Sequence, residues 1–189
     1  MTAPAWDAAA DAFERVLRLD AERPEARLGL GVCLLEMNRA EEACGHFDRS
    51  RVGRWLEPAL FGKAAALQLL GHFEEASRLY AGLLASDSNS QEVLSNWIAM
   101  GIEIHDLAGV REHSQRLLDI CPDSEVALRG LVTAALEDGD HQTAAVYCGR
   151  LLELAPDCLE AWHNFRIAME QFRFGSAQPE LAVCLGGKV

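Results

Sequence analysis

The chain has 189 residues, half of them apolar and about a quarter charged, which is the composition of a globular protein. It carries 17 Lys and Arg against 29 Asp and Glu, and the net charge of −12 argues against nucleic acid and anionic membrane surfaces, whose phosphates would repel it. No run reaches the ~18 apolar residues that span a bilayer, and the N-terminus lacks a basic start, so a cytoplasmic protein is predicted.

Every element that the sequence predicts is a helix, because apolar residues recur at spacings of three and four. A first helix over residues 5–20 forms a half-repeat. Four two-helix units follow, over 24–56, 57–90, 91–124 and 125–158. A single helix over 159–172 ends the predicted array, which occupies residues 1–172. The tail 173–189 contains the apolar run 181–185, for which packing as a short cap and a loose arrangement are both open.

The predicted units are copies of one pattern. The turn residues follow one another at intervals of 33, 34, 34 and 34 residues: Asn38, Gly71, His105, Gly139 and Arg173. A small or branched residue comes five positions later, at Ala43, Ala76, Val110 and Ala144. Such residues let paired helices approach closely, and we expect Phe47 and Tyr80 to fill the gap to the next pair. Stacked copies then bury the apolar faces that one pair alone would leave exposed.

This period resembles that of the tetratricopeptide repeat (TPR) family, over about residues 7–172. Four features carry the resemblance: Ala43-x3-Phe47, Ala76-x3-Tyr80, the closing prolines Pro122 and Pro156, and the Leu30-Gly31 pair. Trp162 also stands where the family motif opens with Trp, and core packing explains this side chain better than ligand stacking does. The resemblance implies an all-α fold, a right-handed α-solenoid (the TPR superhelix) of about four helix pairs with a half-repeat at each end.

The sequence contains no recognisable catalytic grouping, since no phosphate-binding loop, dinucleotide fingerprint, zinc-protease motif or nucleophile elbow occurs. His72, His105 and His141 recur at the turns, but neighbouring repeats place them ~10 Å apart. Metal ligands lie ~2 Å from the ion, so these histidines cannot share one. Six cysteines without a CxxC pair are expected to be reduced thiols. We therefore predict no enzyme, no metal site and no cofactor.

In the TPR family the first helix of each pair lines a concave groove that binds peptides or helices. The resemblance places these residues in the groove: Leu28, Val32, Leu35, Phe61, Ala65, Leu69, Asn96, Arg129, Thr133, His163 and Asn164. Gly29, Gly62 and Gly130 on the same helices are expected to leave room for a ligand backbone. The family's two-carboxylate clamp of Lys, Asn and Arg keeps only Asn96 here, which argues against an acidic tail in the groove.

The predicted function is a non-catalytic scaffold or adaptor that binds a peptide or helical segment of another protein. Apolar groove residues would take apolar anchors, and the charge of −12 suits basic flanks on the partner. Filling of the groove by the leading helix, by the tail or by a second copy of the chain is an open alternative, so self-association is one expectation. An alternative of another class is an interaction or regulatory module of a larger enzyme, since the predicted array begins and ends in mid-repeat.

Overall fold

The computed structural model describes residues 3–171, and every regular element in that range is helical. The helices, in chain order, are α1 (Ala3–Leu19), α2 (Pro24–Glu36), α3 (Ala40–Asp48), α4 (Leu56–Leu69), α5 (Phe73–Ser86), α6 (Gln91–Glu103), α7 (Leu107–Ile120), α8 (Glu125–Glu137), α9 (His141–Leu154) and α10 (159–171). A single 3-10 turn, Gly53–Trp55, precedes α4. The all-α prediction is confirmed, with four helix pairs between a leading and a closing helix. The tail 173–189 and its apolar run lie outside the described residues.

The four turns between paired helices share one backbone geometry. Each turn residue has a positive φ: 59° at Asn38, 75° at Gly71, 56° at His105 and 71° at Gly139. The amide of the next residue donates to the carbonyl five positions earlier, as from Arg39 to Leu34 at 2.8 Å and from Asp140 to Ala135 at 2.9 Å. This is the Schellman motif, in which a left-handed residue satisfies the last carbonyls of a helix. The predicted turn register is therefore confirmed for the four turns in the described range.

Short polar side chains start several of the helices. The side chains of Asp106 and Asp140 accept the amides of Gly109 and Thr143, each at 3.1 Å. These bonds satisfy amides that the first turn of a helix leaves without a partner. The hydrogen bonds from Thr143 also hold the pKa of Asp140 below its ordinary value. These two carboxylates therefore serve as N-caps of α7 and α9.

The chain divides into two compact units within the sequence of α6: unit 1 ends at Val93 and unit 2 begins at Leu94. In unit 1 each helix from α1 to α5 contacts the next one along the chain. Its core includes Leu30, Leu34, Phe47 and Tyr80, all buried. The two aromatic side chains are fully enclosed, as expected for residues that fill the space between helix pairs.

Unit 2 is built in the same way from α7, α8 and α9, of which α8 contacts both others. Its buried residues include Leu117, Leu128, Val132 and Cys148. Helix α10 joins this unit through a small cluster of buried alanines: Ala135, Ala144 and Ala168. Small residues at these positions allow the helices to lie close together.

Candidate functional site

Six of the predicted groove residues lie on two helices of unit 1 that contact each other, α2 and α4. We call this set the α2–α4 face; it consists of Leu28, Val32, Leu35, Phe61, Ala65 and Leu69. Val32 keeps 41% of its surface exposed and Leu69 keeps 58%, whereas the other four residues are half-buried. The face therefore has two exposed aliphatic side chains, Val32 and Leu69, among neighbours that are mostly packed against the core.

The half-buried members of the α2–α4 face also serve the core. Leu28 and Leu35 pack against the same buried cluster as Phe13 of α1. The Phe61 ring lies 6.4 Å from that of Tyr80, tilted by 54°. Substitution of these residues would therefore disturb packing as well as any binding, and Val32 and Leu69 are the positions at which binding can be tested alone.

The expectation that three glycines leave room for a ligand backbone is wrong. A Cβ added at Gly29 would lie 2.3 Å from the Phe13 ring, and one at Gly62 would lie 2.5 Å from the Phe47 ring. At Gly130 it would lie 2.5 Å from the Ser114 hydroxyl. The space beside each glycine is thus occupied by a side chain of the preceding helix. That side chain can pack so closely only because glycine has no Cβ.

The predicted groove residues of unit 2 are polar, and two of them, Arg129 and Thr133, are engaged within the unit. Arg129 of α8 forms an ion pair with Glu160 of α10, and its Nη2 lies 3.3 Å from Cys158 Sγ. The hydroxyl of Thr133 donates to the Arg129 carbonyl at 3.0 Å. Asn96 is half-buried in α6. Arg129 is therefore held by unit 2 itself rather than free for a partner.

Helix α10 presents an apolar surface that sequence reasoning missed. Trp162 was expected in the core, but 52% of it is exposed, and its Nε1 donates to the Pro156 carbonyl at 2.9 Å. It meets Phe165 edge-on at 6.3 Å. A shallow cavity of about 680 Å³ follows this side of the helix, and the predicted residue His163 lines it. Asn164 is half-buried. The signal was present in the sequence, because Trp162 stands at the opening position of a repeat of which only the first helix is predicted.

The arrangement of the helices resembles that of known repeat proteins. The family model described as "Tetratricopeptide repeat" matches residues 3–48. The C-terminal part of a TPR repeat-containing protein from Cytophaga hutchinsonii has a TM-score of 0.78 to this chain, at 13% identity, over 92% of this chain and 69% of that one. The chain has the fold of tetratricopeptide-repeat proteins, and its residues 3–48 match the family itself. No curated protein matches it.

Two further TPR structures align along most of their own lengths. YrrB, described as a TPR protein with an unusual peptide-binding site, has a TM-score of 0.69 at 14% identity, over 87% of this chain and 86% of that one. A thermophilic TPR protein from Thermus thermophilus has a TM-score of 0.66 at 18% identity, over 87% and 90% of the two chains. At these identities the likeness concerns the fold. In the TPR register, α2 and α4 are consecutive first helices.

The chemistry-bearing side chains of the described residues are dispersed. Between residues 3 and 171, no three His, Cys, Asp or Glu side chains gather as a metal site, and no helix there is long and apolar enough to cross a membrane. The five described cysteines are free thiols. Burial raises the pKa of Cys33 and Cys44, and it raises that of Cys148 to about 11. Such thiols stay protonated at neutral pH and are poor nucleophiles.

His113 is a buried titratable group in the second helix of the third repeat. Its ring lies 4.2 Å from that of Trp97, and its Nδ1 has no hydrogen-bond partner. Burial lowers the pKa of His113, Arg116 lowers it further, and Glu112 and Asp106 act in the opposite direction. A neutral imidazole is thus favoured by the fold.

We expect His113 to make unit 2 less stable as the pH falls below about 6.5, the ordinary histidine pKa. The unfolded chain takes up the proton there before the folded one does, so stability is lost until the pH reaches the lower folded pKa. The measurement is the urea midpoint at pH 7.5 and 5.5 for the wild type and for His113→Phe, which keeps a ring beside Trp97. The variant should lose less stability between the two pH values; an equal loss would assign the pH dependence to other groups.

Proposed function

We propose that this protein is a non-catalytic scaffold that binds a peptide or helical segment of another protein on its α2–α4 face. The observation that carries the proposal is the exposure of Val32 and Leu69 on adjacent first helices, the helices that line the groove in this family. Fully burying an exposed Val or Leu side chain contributes about 1.5–3 kcal/mol, and Val32 and Leu69, each about half exposed, would contribute about half of that apiece. YrrB, which has the same fold, is described as having a peptide-binding site, and this supports a peptide as the ligand here.

The surroundings of the α2–α4 face favour a partner with basic flanks. Glu36 ends α2 directly after Leu35 and is exposed, and Glu57 is exposed in the first turn of α4. No basic residue occupies the last turn of either helix. An apolar segment followed by Lys or Arg would therefore match both the open aliphatic side chains and the charges beside them.

A non-catalytic role agrees with how the described titratable groups are used. Asp106 and Asp140 accept helix amides, Glu42 binds Arg39, and the buried thiols have raised pKa values. Each of these groups has a structural partner or a structural position. They stabilise the array and do not converge on a common point at which a substrate could react.

The test compares Val32→Glu/Leu69→Glu with Val146→Glu, a control at an exposed position on α9. Peptides selected from a random displayed library on the wild type are measured against each variant by fluorescence anisotropy. The double variant should lose at least about tenfold in affinity, because two apolar contacts are replaced by buried charge, while its circular dichroism stays unchanged. The control should bind as the wild type does.

Two results would count against this proposal. One is a set of selected peptides that bind both variants equally, which would place the site away from α2 and α4. The other is a wild type whose sedimentation shows a dimer that the double variant loses, since a second copy would then occupy the face. Sedimentation velocity over a range of concentrations separates this case from peptide binding.

A further inference from the structure

The connection between α3 and α4 differs in charge from the later connections between repeats. Those connections each contain an aspartate: Asp87, Asp123 and Asp157. Residues 49–55 instead carry Arg49, Arg51 and Arg54 and no acidic residue. Three of the 17 basic residues of an acidic chain thus lie within one short exposed segment. The contacts of these arginines decide whether the fold neutralises them.

The fold compensates this positive charge only in part, and the charge of Arg54 also helps to lower the pKa of Glu25 without an ion pair between the two. Arg51 reaches Asp48 at 3.5 Å, but that carboxylate is already bound by Lys63 at 2.7 Å and 2.9 Å. The Arg54 guanidinium lies over the Trp55 ring, 4.6 Å from its centroid. Neither Arg49 nor Arg54 forms an ion pair with a carboxylate within the described part of the chain. Two of the three guanidinium groups are therefore available to an external anion.

Further basic groups lie on the helices beside this segment. Arg27 of α2 is only 7% exposed, and its Nε has no hydrogen-bond partner, although its Nη2 donates to Glu22 at 3.2 Å. Burial lowers the pKa of the half-buried His46, and the charges of Arg27 and Arg49 lower it further. Glu42 and Glu14 act on His46 in the opposite direction. The positive charge that is open to a partner is therefore that of the connection itself, with Arg27 buried beside it.

The same segment exposes apolar surface. Val52 and Leu56 are both exposed, and Trp55 between them is half-buried. Gly53, with a φ of +49°, has open space on the side where a Cβ would stand. Guanidinium groups, an indole ring and aliphatic side chains therefore occur together within residues 49–56. Arginine and aromatic residues of this kind are enriched at protein interfaces.

We propose that residues 49–56, the Arg49–Leu56 surface, bind an acidic peptide segment that also carries an apolar side chain. Carboxylates suit the planar guanidinium groups, which can donate two parallel hydrogen bonds. The apolar side chain would cover Val52 and the exposed edge of Trp55. This surface goes beyond the α2–α4 face, because it uses other residues and selects a partner of opposite charge.

The net charge of −12 favours a short acidic peptide over a long polyanion. A nucleic acid or an anionic membrane would extend past the Arg49–Leu56 surface and meet the acidic remainder of the chain. A short segment touches only the local arginines. At physiological salt the screening length is about 8 Å, so the charges in direct contact decide binding.

The test uses the full chain and a fluorescein-labelled peptide of repeated Glu-Asp-Leu, measured by anisotropy. We expect binding to the wild type and a weakening of about tenfold in Arg51→Ala/Arg54→Ala. The control Arg15→Ala/Arg18→Ala, which removes two exposed arginines of α1, should bind as the wild type does. Val32→Glu/Leu69→Glu should leave this binding intact, so the two proposals can fail independently.

Four results would overturn the Arg49–Leu56 proposal. They are the absence of binding to the wild type, an equal weakening in the α1 control, and equal binding of a peptide in which Lys replaces Glu and Asp. The fourth is that phosphatidylserine vesicles or an oligonucleotide bind the wild type more tightly than the acidic peptide does, and that Arg51→Ala/Arg54→Ala abolishes this binding. The surface would then be a phosphate site. Circular dichroism of each variant checks that its helices are intact.

Discussion

Replacing Phe47 with alanine is expected to lower the free energy of unfolding by about 3–5 kcal/mol. The side chain is fully buried, and its ring fills the space beside Gly31 and Gly62. Removal of the ring would open a cavity between α2, α3 and α4. These helices contact one another elsewhere, so they cannot move together to fill the cavity. Since the free energy of unfolding of a whole domain is about 5–15 kcal/mol, unit 1 would lose much of its stability.

Urea unfolding followed by circular dichroism measures this loss. Leu69→Ala is the control, because its side chain is exposed and its removal should change stability by about 0.5 kcal/mol or less. Phe47→Leu should fall between the two, since it fills part of the cavity. A Phe47→Ala midpoint equal to that of the control would show that the ring does not hold the helices of unit 1 together.

The helices and their turns could be predicted from the sequence because each follows from local rules. The left-handed turn residues recur at nearly constant spacing, and the structure gives four of them positive φ values. His105 shows that the spacing can locate such a turn where no glycine stands, since residues other than glycine are uncommon at positive φ, with Asn, Asp and His enriched among them. The role of Phe47 also followed from its position, because the ring does pack into the next helix pair beside Gly62.

The candidate site was less predictable, because the repeat register tells which face of a helix a residue occupies but not which side chains cover that face. Gly62 and Gly130 appeared to be openings, yet side chains of the preceding helices occupy them. Arg129 appeared free, yet Glu160 binds it from a helix that is 31 residues away in sequence. Trp162 appeared to belong to the core, yet it is half exposed. For the two glycines and Arg129 the deciding neighbour lies in another repeat, where one repeat's pattern cannot reveal it.

Replacing Gly130 with alanine should reduce the stability of unit 2 by about 1–3 kcal/mol, although alanine favours helices. The added Cβ would lie 2.5 Å from Ser114 Oγ, 2.9 Å from Ile98 Cγ2 and 3.3 Å from Val110 Cγ1. Gly149→Ala is the matched control, because Gly149 lies inside α9 with nothing within 4 Å of its Cβ position. That change should stabilise unit 2 by about 1 kcal/mol, and urea midpoints should separate the two variants clearly.

A double-mutant cycle with Ser114→Ala identifies the atom responsible. The Ser114 hydroxyl is buried without a hydrogen-bond partner, so its removal alone should leave stability unchanged or raise it by about 1 kcal/mol. It is also the atom nearest to the new Cβ, and the penalty of Gly130→Ala should shrink by at least about 0.5 kcal/mol in the Ser114→Ala background. Additive effects would mean that Ile98 and Val110 resist the alanine and that the hydroxyl moves aside. The close approach of α7 to α8 would then rest on the aliphatic side chains around Gly130 and not on the serine at the contact.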